Sequence, residues 1–150
     1  MKYYMNKKMV AKIRKTPYKR VHVPKCLNSI LEEGLMVKND CLFIRCFYNA
    51  NPHLTESQFE DKTQYEHTMN GFHFDDYYKK CTINHIFAFV DELEKRIRST
   101  NIRLPVLIVI SFNKDDCYFS LGRVHENEMP WIDPTDLENY KEAIILMQIG

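Results

Sequence analysis

Two apolar runs, Leu104–Phe112 (LPVLIVISF) and Cys117–Val124 (CYFSLGRV), stand on either side of the polar tetrapeptide Asn113-Lys114-Asp115-Asp116. A polar turn of that size between runs rich in β-branched and aromatic residues is what hairpins use, so the spacing predicts an antiparallel pair. Just upstream, Ile83–Ser99 places Ile83, Ile86, Phe87, Val90, Leu93 and Ile97 within a stripe of about 120°, the apolar face of a helix. Its outer face carries Asp91 before Lys95, Glu92 before Arg96 and Glu94 before Arg98, each an i,i+4 pair in the favourable order. A helix followed by a hairpin points to a sheet packed by helices.

The other elements are shorter. Ala143–Ile149 (AIILMQI) reads as a last buried strand, with a helix continuing from Pro134 as its competitor. Cys41–Tyr48 (CLFIRCFY) is apolar at nearly every position and is expected to be a central strand covered on both faces. Pro24 and Gly34 frame a helix over Lys25–Glu33, with Leu27, Ile30 and Leu31 on one side and Leu35 folding back onto it. Met9–Lys15 is expected to be a strand closed by Pro17. Thr55 and Gln58 form a capping box opening a helix or turn that runs no further than Asn70-Gly71. Gly71–Tyr78 reads as a loop or edge strand, and Asp133-Pro134-Thr135-Asp136 as the start of a short helix reaching Tyr140. The expected fold is therefore α+β or mixed α/β. A single domain over residues 1–150 would hold one sheet of about four to six strands packed by two or three helices.

Charge is divided along the chain. The first 25 residues hold nine Lys and Arg and no carboxylate, whereas the rest holds all 20 Asp and Glu against 12 Lys and Arg. Residues 1–20 are thus a basic N-terminal arm or edge strand, and Tyr3, Tyr4 and Tyr18 within that segment could stack on bases. The net −8 of the remainder opposes nucleic-acid binding, as does the lack of a helix-turn-helix, zinc-finger or RRM signature. No apolar run approaches the roughly 20 residues that span a bilayer, and no secretory pattern follows the early basic residues. Cys26, Cys41, Cys46, Cys81 and Cys117 are odd in number and lack C-x-x-C spacing, which fits free thiols in a cytoplasmic protein. With no closely spaced Cys and His pairs, structural zinc is not expected, and no cofactor motif is present.

Two clusters carry chemistry. Glu66-His67…His73-Phe74-Asp75-Asp76 offers acids and imidazoles, and His73, Asp75 and Asp76 could serve a small metal-dependent nuclease. In an extended segment, alternation would set His73 and Asp75 on one face. Glu60-Asp61-Lys62 supplies an E-x-K pattern but lies in a polar segment without strand character. The second cluster is the loop His125–Asp136 (HENEMPWIDPTD), where Glu126, Glu128, Asp133 and Asp136 surround the sole tryptophan, Trp131. An aromatic anchor ringed by acids is what a surface for a basic protein would contain, although Trp131 could equally plug the end of the sheet while the acids cap the following helix.

A hairpin, an acidic Trp-containing loop and a D-P-x-D-L-E-x-Y turn leading into a terminal apolar strand resemble bacterial immunity proteins of polymorphic and contact-dependent growth inhibition systems. The resemblance covers Pro105 to Ile149. It implies a non-catalytic cytoplasmic protein that binds one cognate toxin, often a basic nuclease domain, and covers its active site. Glu126, Glu128, Trp131, Asp133 and Asp136 are the residues expected at such a contact, with the metal-dependent nuclease and a nucleic-acid-binding arm as the alternatives.

Overall fold

The structure, a computed structural model, describes residues 1–150. In chain order its elements are β1 (Lys2–Met5), α1 (Lys7–Arg14), α2 (Lys25–Glu32), β2 (Leu35–Lys38), β3 (Cys41–Ile44), α3 (Arg45–Ala50), α4 (Lys62–Met69), β4 (Phe72–His73), α5 (Ile83–Ser99), β5 (Val106–Asn113), β6 (Asp116–Arg123) and β7 (Ala143–Ile149), with three short 3₁₀ turns. The main sheet is fully antiparallel in the order β1-β7-β5-β6-β4, and β2 and β3 form a separate two-stranded sheet. This is a single α+β domain, in which no helix is long and apolar enough to cross a membrane.

The hairpin ladder runs to the pair Asn113–Asp116, so the turn itself is Lys114-Asp115, with Lys114 in the left-handed region at φ 59°. Alternation then gives the sheet two unequal faces. Val106, Ile108, Ile110 and Phe112 of β5, Phe119 and Leu121 of β6, and Ile145, Met147 and Ile149 of β7 face the large core with α2 and α5. Leu107 and Val109 of β5 and Ile144 and Leu146 of β7 face the other way, onto a small cluster closed by Leu137, Trp131, Ile132 and Tyr140. The amphipathic helix spans Ile83–Ser99 as the sequence predicts, although Phe89 is fully buried and Phe87 only half so. Of its three expected ion pairs, Glu92–Arg96 (3.2 Å) and Glu94–Arg98 (2.8 Å) form.

Two expected elements differ. Met9–Lys15 is not a strand but most of α1, because the carboxamide of Asn6 accepts the Met9 N–H as an N-cap and Met9 and Ile13, four apart, pack on the core. Asn6 is fully used. Its Oδ1 also accepts the Ile144 N–H (3.1 Å), and its Nδ2 donates to the Leu137 and Glu142 carbonyls (3.2 and 2.8 Å). Residues 2–14 are thereby built into the fold, β1 as the edge strand of the sheet and α1 as a helix tied to the segment before β7. Lys8 caps the Tyr140 and Lys141 carbonyls at 2.9 Å. Asn6→Ala should cost about 2 kcal/mol in urea unfolding, combining a lost cap with orphaned buried partners; a change below about 0.5 kcal/mol would refute this accounting.

Cys41–Tyr48, expected as one central strand, stops at Ile44 and continues as α3. All four strand residues are buried, with Cys41 and Phe43 facing Tyr65 and Met69 while Leu42 and Ile44 face the main core. Yet β3 pairs only with β2. Side chains, not a strand, satisfy its other edge.

Candidate interaction surface and the polar hub beneath it

The helix α4 starts at Asp61, whose carboxylate accepts the Gln64 N–H at 2.7 Å, and ends at Asn70. Glu66 and Asn70, one helical turn apart, are both fully buried. A buried carboxylate survives only if its oxygens are occupied, and here two strand edges occupy them. One Glu66 oxygen accepts the Leu42 N–H (3.2 Å) and lies 2.7 Å from His125 Nε2, and the other accepts the Arg123 N–H. Asn70 accepts the Ile44 N–H (2.8 Å) and donates to the Leu42 and Leu121 carbonyls (2.8 and 2.9 Å). A carboxylate and an amide thus splice β3 to β6 where no backbone ladder joins them. The Arg123 side chain extends the hub to the Arg103 carbonyl (2.9 Å) and to both the carbonyl and the carboxylate of Asp40. Burial pushes the Glu66 carboxyl up, and the bonds from Arg123 and His125 pull it part of the way back.

The neighbouring His67 points to the second face of the sheet. Its Nδ1 lies 2.8 Å from Ser120 Oγ, and its ring stacks on Trp131 with centroids 5.3 Å apart and planes 3° from parallel. Burial drives this imidazole down to about 3, so it is neutral. Gly122 makes the approach possible, since a Cβ there would sit 2.7 Å from two His67 ring atoms and 3.0 Å from a Glu66 oxygen. Gly122→Ala should therefore destabilise the fold by about 2 kcal/mol in urea melts. A neutral result would mean that α4 can retreat from the sheet without loss.

The same stack anchors the loop His125–Asp136. Trp131 is half-buried over the small cluster, as a plug on the sheet's second face. The Glu128 carboxylate accepts both the N–H and the hydroxyl of Thr63 at 2.8 Å, in the first turn of α4. Burial pushes the Glu128 carboxyl up, but the Thr63 bonds outweigh it and leave it below the ordinary carboxylate range. Asp133 accepts the Thr135 N–H and hydroxyl (2.9 and 2.7 Å), bonds that likewise hold its carboxyl low, and Asp136 accepts from Asn139. The expected helix from Asp133 is only a 3₁₀ turn over Leu137–Asn139. Four of the five residues expected at a partner contact thus build the loop. Glu126 stays exposed, as does Met129 of the same loop at 79%. Met129 stands beside Trp131 and Pro130 in the sequence, but nothing in that spacing marks it as the exposed apolar residue of the loop.

The acid and histidine cluster divides. Glu66 and His67 enter the hub, whereas His73 sits on the edge strand β4 with Nδ1 3.0 Å from both oxygens of Asp116. Asp75 and Asp76 lie in the 3₁₀ turn Phe74–Asp76, which ends the extended segment after His73 and breaks the expected alternation. His73, Asp75 and Asp76 are not gathered within coordinating distance of one another, and His73 instead borders an open cleft of about 320 Å³ with Asp116, Tyr118, Trp131 and Tyr140. Glu60-Asp61-Lys62 falls at the start of α4, where Asp61 is the cap.

Fold and site together define an α+β domain that carries a braced, partly acidic surface loop over a buried polar splice between two sheets. Residues 4–150 match a family model described as the Uncharacterized protein PM0498 family, and the chain belongs to that family. No curated protein and no solved structure matches it.

Proposed function

We propose that this chain is a non-catalytic binding protein that captures a basic protein partner on the loop His125–Asp136, and that the partner is a toxin domain whose active site the loop covers. The observation that carries the reading is how the loop is made. Stacking of Trp131 on His67, the Glu128 bonds to Thr63 and the Asp133 bonds to Thr135 brace it from within. A loop ordered before encounter loses little entropy on binding. It presents two exposed side chains, Met129, which is polarisable, apolar and able to adapt to a partner's hollow, and the carboxylate of Glu126. With Glu126, Glu128, Asp133 and Asp136 and no Lys or Arg, the loop is itself acidic, which favours encounter with a cation-rich surface. The resemblance of Pro105–Ile149 to immunity proteins supplies the partner class.

The test is a search of the adjoining genes for a toxin domain, whose absence counts against the reading, followed by co-expression and purification with the one found. Protection of cells and a stable complex are expected. Glu126→Lys should slow association and flatten its salt dependence while leaving the melting temperature unchanged. Met129→Ala should raise Kd by about fivefold or more. A chain that neither binds nor protects overturns the reading. If it instead degrades DNA or RNA with Mg²⁺, and Asp75→Ala abolishes this, the nuclease alternative replaces it. Because β1 and α1 belong to the fold, a nucleic-acid role for residues 1–20 is tested by reversing exposed charges such as Lys7 and Lys19 rather than by deletion.

A further inference from the structure

The hub contains one juxtaposition that splicing two sheets does not require. The Cys41 sulfur on β3, a Glu66 oxygen on α4 and a His125 ring nitrogen just past β6 lie within 4.8 Å of one another. Cys41 and Glu66 are fully buried, and the His125 side chain is only 5% exposed. We propose that Cys41, Glu66 and His125 form a zinc-binding site.

Donor chemistry selects the ion. Thiolate, imidazole and carboxylate together are a ligand set for zinc, and the thiolate disfavours magnesium and calcium. Bond lengths of about 2.0–2.3 Å in a tetrahedron set donors roughly 3.3–3.7 Å apart, so the group needs to adjust by only about 1 Å to close on an ion. Charge selects it as well. A thiolate, a carboxylate and a neutral imidazole sum to −2, and a divalent ion makes the buried site neutral. Binding is then an exchange in which Zn²⁺ enters while the Cys41 thiol proton leaves to the buffer, His125 ligating as a neutral imidazole whose N–H sits on its other ring nitrogen. His125 Nδ1 lies 4.0 Å from the Asp40 carboxylate, a small shift away from the hydrogen bond by which an outer carboxylate orients a ligating histidine. A cleft of about 170 Å³, lined by Thr63, Arg123, His125 and Glu128 among others, opens on the His125 side of the group. The ion would pin β3, α4 and the start of the 125–136 loop to one point. This inference needs no partner, so its test is separate from that of the proposed function.

The experiment uses the isolated full chain, stripped with chelator and re-equilibrated with Zn²⁺ or Co²⁺. Expected are one zinc per chain by elemental analysis, a thiolate-to-cobalt charge-transfer band in the near ultraviolet, and a zinc-dependent rise in melting temperature. Cys41→Ser should abolish the cobalt band and the zinc-dependent rise. Asp40→Asn should keep the band but weaken metal affinity about 10–100-fold. An exposed histidine, His53, provides the control, and His53→Ala should change nothing. Circular dichroism of the metal-free variants checks folding, and His125→Gln takes the place of Cys41→Ser should the latter not fold. The proposal is overturned if the stripped wild type takes up no zinc at micromolar concentrations, or if Cys41→Ser binds it with unchanged affinity.

Discussion

Glu66→Ala should destabilise the fold by about 3–5 kcal/mol, measured by urea unfolding in the presence of chelator. The carboxylate is the common acceptor for the Leu42 and Arg123 N–H groups and for His125. Truncation leaves two backbone donors and an imidazole without their buried acceptor, and each such orphan costs about 1–3 kcal/mol. The loss should be local at first. With Asn70 and the Arg123 bonds to Asp40 as the remaining polar bridges to β6, the β2–β3 unit should open ahead of the main sheet, visible as early hydrogen exchange at Leu42 and Ile44. Glu66→Gln, which keeps one carbonyl oxygen, should be damaged less. A double-mutant cycle with His125→Gln should be strongly non-additive, because the first change already removes what the second would break. A loss below about 1 kcal/mol for Glu66→Ala would mean that packing, and not the splice, holds the two sheets together.

This hub also marks where the sequence stops being readable. The helix Ile83–Ser99, the hairpin around Lys114-Asp115 and the strand Ala143–Ile149 are local patterns with local causes, and they appear where expected. Met9–Lys15 and Cys41–Tyr48 are short apolar segments in which periodicity cannot separate strand from helix. The first was decided by the Asn6 cap, itself held by the distant Leu137, Glu142 and Ile144, and the edge of the second by Glu66 and Asn70, more than twenty residues away. The same distance hid the donors. Cys41, Glu66 and His125 come from three separate elements, so a search for closely spaced cysteines and histidines has nothing to find. Around Trp131 the sequence located the right loop but not its division of labour. Whether an acid projects outward or accepts a bond from Thr63 or Thr135 depends on where α4 and the loop's own turns fall, and spacing alone does not carry that.

Trp131→Ala should cost about 3 kcal/mol and lower partner affinity through the position of other residues rather than through a contact of its own. Trp131 covers His67 on one side and the cluster of Leu107, Val109, Ile144 and Leu146 on the other, and losing a large aromatic from such a place removes both apolar burial and the stack. The loop would then be held mainly by the Glu128 and Asp133 bonds. Met129 and Glu126 would have to be ordered during binding, which adds roughly 0.5–1.5 kcal/mol for each immobilised side chain. Trp131→Phe separates the two roles open to this residue. A phenylalanine can still stack on His67 and fill much of the cluster, so if Trp131 positions the loop, stability and affinity should recover together. If Trp131 itself touches the partner, Trp131→Phe should restore the melting temperature while Kd stays weak. Should Trp131→Ala melt like the wild type, the tryptophan is not the plug of this face, and the bracing assigned to it must come from Glu128 alone.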